Sequence, residues 1–90
     1  MPIPPSVAVK ILRLAVKSAS GAYRGATLVR KAEIKRVGGY IVEIVRRNTL
    51  GADGGISQMV SVFNKNKVRQ AVWHIVVKAG KVIHQHLDQL

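Results

Sequence analysis

The C-terminal residues 73–90 constrain the fold of this chain more than any other segment. Apolar and polar side chains alternate there on both sides of Ala79-Gly80, a pattern typical of a β-hairpin with one buried face. The alternation predicts an apolar face that collects Trp73, Ile75, Val77, Ile83 and Leu87. It places on the other face Asp88 and all three histidines of the chain, His74, His84 and His86.

The turn of this hairpin sets which histidines lie opposite each other. A two-residue turn at Ala79-Gly80 would require a positive φ at Ala79, whereas a three-residue loop ending at Gly80 requires it only at the glycine, as a G1 bulge. We therefore expect the three-residue loop. In that register His74 pairs with His84, and His86 lies diagonally beside them, with paired Cβ atoms about 5 Å apart.

The charge of the chain predicts polyanionic partners. Its 90 residues include 15 Lys and Arg but only 4 Asp and Glu, which gives a formal net charge of +11. An excess of this size favours nucleic acid as the partner, followed by an acidic protein. The chain has no cysteine, so a disulfide framework and a thiolate zinc site are both excluded.

A helix and a linker precede the expected strands. Ser6 follows two prolines and is the expected N-cap of a helix over residues 7–18, whose apolar stripe lies opposite a basic face. We expect that basic face to be mainly a solvent face, with a phosphate-facing or membrane-facing surface as the alternative. Charges interrupt the apolar stretch, so the pattern predicts neither a signal peptide nor a transmembrane helix. Residues 18–27 form a small-residue linker.

The remaining sequence predicts an antiparallel meander. Residues 28–36 fit either a helix or a strand, and we favour a strand or an extended basic arm because the hairpin signal Gly38-Gly39 follows. The segments expected after that turn are a strand at 40–47, a glycine-rich loop at 48–55, a strand at 57–63 and a strand at 69–78.

These patterns together predict one α+β domain over residues 1–90, a length sufficient for one small core. A helical N-terminal part, residues 1–20, packs on a four- to five-stranded antiparallel sheet, residues 38–90. The histidine face of that sheet stays open.

The histidine cluster is the expected chemical site, because imidazole titrates near neutrality. Cleavage of RNA by attack of its 2′-hydroxyl group needs a base, an acid, and donors or cations for the charge of the phosphorane. Two imidazoles provide the base and the acid, and Asp88 orients one of them. Gln85 reaches the substrate only if its strand bends. The expected substrate contacts are Lys10, Arg13, Lys31, Arg46, Gln58 and Gln85.

Two alternative roles for the histidines stay open. They are ordinary polar residues if their strand simply faces solvent, and the protein is then a non-catalytic basic RNA-binding module. Alternatively, the protein is a metal-dependent nuclease that binds zinc at about 2.1 Å. Its ligands would be His84 and His86, spaced i, i+2, together with His74 and Asp88. The excess of cations opposes a divalent ion at that site.

The glycine-rich loop predicts no nucleotide-binding motif, because it lacks both the P-loop ending and the strand-to-helix context of a dinucleotide fingerprint. Ser57 follows the loop and has no triad partner close in sequence, so serine hydrolysis is not indicated. Tyr23 and Tyr40 are the candidates for base stacking, since Trp73 is assigned to the core.

The order of these motifs resembles the C-terminal toxin domains of bacterial polymorphic and contact-dependent inhibition systems. The similarity covers about residues 48–90: residues 51–55, Gly-Ala-Asp-Gly-Gly, with Ser57 following, a strand carrying His74, and residues 80–88, which end in His-Gln-His-Leu-Asp. The group it resembles in particular is the small ribonucleases classed with barnase, EndoU, colicin and RelE-type toxins.

The resemblance implies a helix followed by a four-stranded antiparallel sheet, and RNA cleavage without a metal ion or other cofactor. By the resemblance, His74, His84 and His86 match the strand histidines of such toxins and Ser57 matches their loop serine. It further implies a cognate acidic immunity protein, a target that is often a tRNA, and action in the cytoplasm of a target bacterial cell after delivery within a larger secreted protein. A trimmed domain and a free-standing protein are both compatible with the sequence.

Overall fold

In the part of the chain that the structure describes, a long helix is followed by an antiparallel sheet. The computed structural model describes residues 3–21, 23–24, 27–29, 31–50 and 52–90. Its elements are α1 (Pro5–Ala19), β1 (Tyr23–Arg24), β2 (Thr27–Leu28), β3 (Lys31–Val37), β4 (Tyr40–Leu50), a 3-10 turn (Ala52–Gly54), β5 (Ile56–Phe63), β6 (Arg69–Lys78) and β7 (Lys81–Gln89). Strands β3 to β7 form a five-stranded antiparallel sheet in chain order, and β1 pairs with β2 separately. The predicted α+β fold, a helix packed on a four- to five-stranded antiparallel sheet, is confirmed.

The helix begins at proline rather than at a serine cap. Pro5 is the first helical residue, a position where a fixed φ and a missing N–H are tolerated. The Pro4 carbonyl accepts the backbone N–H groups of Val7 and Ala8, and no side chain of the described residues caps the helix. The prediction of Ser6 as N-cap is therefore wrong, because Ser6 already lies in the first turn.

The core lies between α1 and the sheet face turned toward it, which we call the helix face. Val7, Ile11 and Ala15 lie on one stripe of α1 and are buried. They belong to one cluster with buried sheet residues, namely Val37, Val42, Ile44, Ile56, Val60, Val62, Ala71, Trp73, Ile75 and Val77. Full burial of such a side chain contributes about 1.5–3 kcal/mol, so this layer is the main source of stability.

The opposite side of the sheet, which we call the open face, carries the chemistry-bearing residues. Successive side chains in a strand point to opposite faces, so the neighbours of buried helix-face residues point to the open face. The strand registers align there Ile34, Arg36, Ile41, Glu43, Ser57, Met59, Ser61, Phe63, Val72, His74, His84, His86 and Asp88. The expectation that the three histidines share a face away from the core is confirmed.

Two strand boundaries differ from the prediction. Residues 28–36, ambiguous in sequence, contribute the edge strand Lys31–Val37, so the sheet begins before residue 38. Strand β4 continues to Leu50, with a shift of register between Arg46 and Leu50, and this shortens the expected glycine-rich loop. Gly51 of that loop lies outside the described residues.

The turn of the last hairpin also differs from the prediction. Lys78 pairs with Lys81, and the two turn residues between them both have positive φ, 52° at Ala79 and 75° at Gly80. This is the two-residue turn that the strand twist favours, and its match to the twist outweighs the cost of a left-handed alanine, about 1–2 kcal/mol. The expected three-residue loop is wrong.

A bulge then corrects the register of the same hairpin. Val77 pairs with Val82 but Val76 pairs with His84, so Ile83 is the extra residue of the bulge. Ile83 is 41% exposed and does not belong to the core, contrary to the prediction. The bulge brings Leu87 opposite Trp73 on the helix face, which explains why it is favourable.

Candidate functional site

The three histidines lie on adjacent strands of the open face. His74 on β6 has His86 of β7 as its Cα partner, whereas His84 is opposite Val76. The ring centroids of His74 and His84 are 6.1 Å apart, with the planes at 71°. The expected pairing of His74 with His84 is therefore wrong, although both rings remain neighbours. His74 is the member of the group that neighbours both of the others.

Ser57 joins the cluster from the other side of His74. It is the second residue of β5, is 3% exposed, and its Oγ lies 2.7 Å from His74 Nε2, a hydrogen-bond distance. The strand registers place Ser57 opposite Val76, diagonally next to His74. The sequence identified both residues but not their contact, because the partner of Ser57 comes from a neighbouring strand and not from a nearby position in the chain.

His74 has an environment that favours its neutral form. Burial between the strands lowers the pKa of His74, and repulsion from Arg47, His84 and His86 lowers it further. At neutral pH the imidazole is therefore uncharged and has a lone pair for a proton. Arg47, an exposed cation near this cluster, was not singled out by the sequence.

His86 and Asp88 form an exposed pair on β7. His86 Nε2 lies 3.0 Å from Asp88 Oδ1, and the two side chains are 69% and 61% exposed. Such a pair contributes little to stability, and its contact turns Nε2 of the His86 ring toward the carboxylate. The expectation that Asp88 orients one imidazole agrees with this contact.

Three of the expected substrate contacts lie on the helix face. Arg46 is 1% exposed and donates from Nε to the Val29 carbonyl at 2.8 Å and from Nη1 to the Ser18 carbonyl at 2.7 Å. Gln58 is fully buried, and neither its Nε2 nor its Oε1 has a partner among the described residues.

Gln85, the third, accepts a hydrogen bond from Trp73 Nε1 at 2.9 Å. The prediction of Arg46 and Gln58 as substrate contacts is therefore wrong, because both side chains are buried, and the exposed Gln85 is held on the helix face by Trp73. The alternation along β4, in which Arg46 follows Val42 and Ile44 at intervals of two, could have shown the burial of the arginine.

The other three expected contacts are exposed but lie apart from the histidines. Lys10 and Arg13 lie on the outer side of α1, beyond the helix face. Lys31 is on the edge strand and forms an ion pair with Glu33. The hydrogen bond from Lys31 holds the pKa of Glu33 below its ordinary value, and the charges of Lys31, Lys35 and Arg46 act in the same direction. The structure does not bring these cations to the cluster.

The end of the glycine-rich loop packs against the open face beside the histidines. A Cβ atom on Gly55 would lie 2.6 Å from Val76 Cγ1 and 3.0 Å from Ile83 Cδ1, so this position has no room for a side chain. Lys78 Nζ donates to the Asp53 carbonyl at 2.8 Å and ties the loop to β6. The loop thus places Ser57 next to His74.

Two further expectations concern ligands and membranes. Among the described residues, no three His, Cys, Asp or Glu side chains are grouped so that they could hold a metal ion, so the zinc alternative gains no support from the geometry. Within the same part of the chain, no helix is long and apolar enough to cross a bilayer.

The tyrosines do not provide a described stacking surface. Tyr40 packs against the core from the helix face, and the side chain of Tyr23 lies outside the described residues.

Comparisons of the chain with protein-family models, with curated proteins and with solved structures find no match.

Proposed function

We propose that this protein is a metal-independent endoribonuclease that cleaves RNA by transphosphorylation at the histidines of the open face. The observation that carries the proposal is the position of His74. Its imidazole, with a lowered pKa, lies 2.7 Å from the Ser57 hydroxyl and beside two other imidazoles. A neutral base next to proton donors is the requirement for attack by a 2′-hydroxyl group.

The proposed roles follow from these contacts. In the proposed tautomer His74 carries its proton on Nε2 and donates it to Ser57 Oγ, so that the Nδ1 lone pair accepts the 2′-hydroxyl proton. His84, whose ring is 6.1 Å from that of His74, protonates the 5′-oxygen as it leaves. His86, oriented by Asp88, donates to the phosphorane oxygens, and Arg47 contributes a permanent positive charge.

The wider role that we propose is that of a bacterial toxin. The net charge of +11 suits an RNA substrate, including a tRNA, and also suits an acidic immunity protein that covers the open face. The site of action in this proposal is the cytoplasm of a target cell. Co-expression with an acidic protein encoded beside it should protect the host cell, and harmless expression without any protector would contradict the toxin role.

The decisive experiment incubates the purified protein with total RNA, with and without EDTA. Cleavage that persists in EDTA and leaves 2′,3′-cyclic phosphate ends is the expected result. Cleavage that EDTA abolishes would instead indicate a metal-dependent nuclease. Binding without cleavage would indicate a non-catalytic RNA-binding module, the second candidate, which the charge alone favours.

Alanine variants test the assigned roles. His74→Ala and His84→Ala should each lower the cleavage rate by about 10²- to 10⁴-fold, the usual contribution of general acid–base catalysis. Ser57→Ala should lower kcat by about tenfold through the lost hydrogen bond to His74. Ser6→Ala, at an exposed position of α1 away from the open face, is the control and should cleave at the wild-type rate. Wild-type cleavage rates in all the histidine variants would refute the proposal that these histidines catalyse RNA cleavage.

A further inference from the structure

A second feature of the open face lies at its end near the β3–β4 turn. Ile34, Ile41 and Phe63 line a shallow groove of about 360 Å³, completed by Arg36 and Lys67. Ile34 is 68% exposed, so apolar surface is in contact with solvent here. We call this feature the stacking groove. None of its residues takes part in the chemistry proposed for the histidines.

We propose that the stacking groove binds a base of single-stranded RNA whose cleaved phosphodiester lies at the histidines, with Phe63 as the stacking ring. This inference rests on the proposed ribonuclease function and extends it to the substrate class. Single-stranded nucleic acid is typically bound by exposed rings on which bases stack, inside a positively charged groove that follows the backbone. A duplex does not offer its bases to such a ring, so a single strand is the specified substrate.

Phe63 is half-buried, and its contacts fit this role. The guanidinium carbon of Arg69 lies 5.9 Å from the centroid of the Phe63 ring, within the range of a cation–π interaction. Arg69 is the Cα partner of Phe63 because the register shifts between Val62 and Phe63. Aromatic rings and arginine planes both stack on RNA bases, so this pair offers a combined platform for a base and its phosphate.

The charges around the stacking groove favour a polyanion over a second copy of this chain. Arg36, Lys67 and Arg69 surround it, and they outnumber the nearby carboxylate of Glu43, whose Cα partners are Ile34 and Ser61. Two copies that each carry a net charge of +11 repel one another. The apolar floor with a basic rim therefore fits a nucleic acid.

The distance between the two sites sets a length requirement for the substrate. Phe63 is four residues along β5 from Met59, the Cα partner of His74. At about 3.3 Å per residue this separation is about 13 Å. A stacked strand advances about 3.4 Å per nucleotide, so the bound base lies up to about four nucleotides from the cleaved bond. A stacked dinucleotide, whose bases are about 3.4 Å apart, is too short to occupy both sites.

The test measures binding separately from cleavage. Fluorescence anisotropy with a labelled 2′-O-methyl decauridylate, which cannot be cleaved, should show a Kd raised about 5- to 150-fold in Phe63→Ala and raised similarly in Phe63→Leu. Phe63→Leu keeps an apolar side chain and protects the fold, while Phe63→Tyr should bind like the wild type. Val9→Ala removes apolar surface from an exposed residue of α1, 48% exposed, and should not change the Kd.

Several outcomes would overturn the stacking groove. Wild-type affinity in Phe63→Leu would do so, as would equally tight binding of duplex RNA. A dimer in sedimentation equilibrium that Phe63→Leu dissociates, with RNA affinity unchanged, would assign the groove to self-association. If Phe63→Leu weakens the binding of an acidic protein partner but not of RNA, the groove is a binding site for that partner.

Cleavage of an all-ribose decanucleotide separates this inference from the proposed function. If the protein cleaves this RNA but its binding does not depend on Phe63, the stacking groove is refuted and the ribonuclease proposal is not. Binding that depends on Phe63 without cleavage refutes the ribonuclease and leaves an RNA-binding face.

Discussion

His74 is half-buried between β5 and β7, where its imidazole contacts Ser57 and is close to two other imidazoles. Each of these neighbours has a physical effect on the ring. Burial disfavours its charged form, the serine hydroxyl forms a hydrogen bond with its Nε2, and Arg47 opposes its protonation. The residue that sequence alternation places in the cluster thus gains its proposed function from side chains on three other strands.

The lowered pKa of His74 predicts a pH dependence of stability. Between the folded-state pKa and the ordinary value of 6.5, the unfolded chain binds more protons, so unfolding becomes more favourable as the pH falls. The stabilisation from neutral His74 is complete above pH 6.5 and is lost as the pH falls through the folded-state pKa. Urea unfolding between pH 8 and pH 5 should show this decline. His74→Gln should reduce the slope and Ser61→Ala should not; an unchanged slope in His74→Gln would contradict the assignment.

The elements that carry the site are held by one loop and one turn. The loop residue Gly55 packs against Val76 and Ile83 where a side chain would collide. The turn at Ala79-Gly80 requires positive φ at both residues. A side chain added at Gly55 should therefore lower the stability of the fold, whereas asparagine at residue 79 should raise it.

Gly55→Ala should destabilise the fold by about 1–3 kcal/mol, because the new methyl group overpacks against Val76. Gly21→Ala is the matched control, since a Cβ there meets only Arg46 Nη1 at an ordinary 4.0 Å. Midpoints of urea unfolding measure both. Equal midpoints for the two variants would contradict the prediction, because the loop would then shift to accommodate the methyl group at little cost.

Ala79→Asn should stabilise the hairpin by about 0.5–1 kcal/mol, because asparagine tolerates positive φ and Asn-Gly is the preferred pair in this turn. Ala79→Val should destabilise it, since a β-branched residue strongly disfavours that conformation. The difference in thermal midpoint between the two variants measures the strain at residue 79. A more stable valine variant would contradict the two-residue turn.

At the scale of the whole molecule, the sheet separates two basic surfaces. Lys10 and Arg13 are exposed on α1, whereas Arg36 and Lys67 line the open face. Removal of either pair lowers the net charge by the same amount. Their effects on RNA binding should nevertheless differ, because only the second pair lies beside the proposed substrate path.

Salt titration of RNA binding tests this difference. For a single strand, log K falls with log salt by about 0.7 per phosphate contact. The double variant Arg36→Ala, Lys67→Ala should reduce that slope by about 1.4, and Lys10→Ala, Arg13→Ala should leave it nearly unchanged. The opposite ranking would place the RNA on the helix side, and a slope near zero in the wild type would exclude phosphate-dominated binding.

Sequence alone determined the α+β fold and the grouping of the histidines on one face. Successive residues of a strand point to opposite faces, so only a register shift by an odd number of residues moves a side chain to the other face. The expected partner of His74 is His84 and the observed partner is His86, a difference of two residues. A shift of two preserves the face. The error in the turn therefore left the candidate site on the correct side of the sheet.

Tertiary structure decided which partners each of those residues has. The bulge at Ile83, the contact between Ser57 and His74, and the burial of Arg46 all depend on how separate strands and α1 pack together. The backbone carbonyls that hold Arg46 come from residues 18 and 29, and no local pattern indicates that they would meet. Local alternation fixes the direction of a side chain, but only the packed fold brings it into contact with residues distant in the chain.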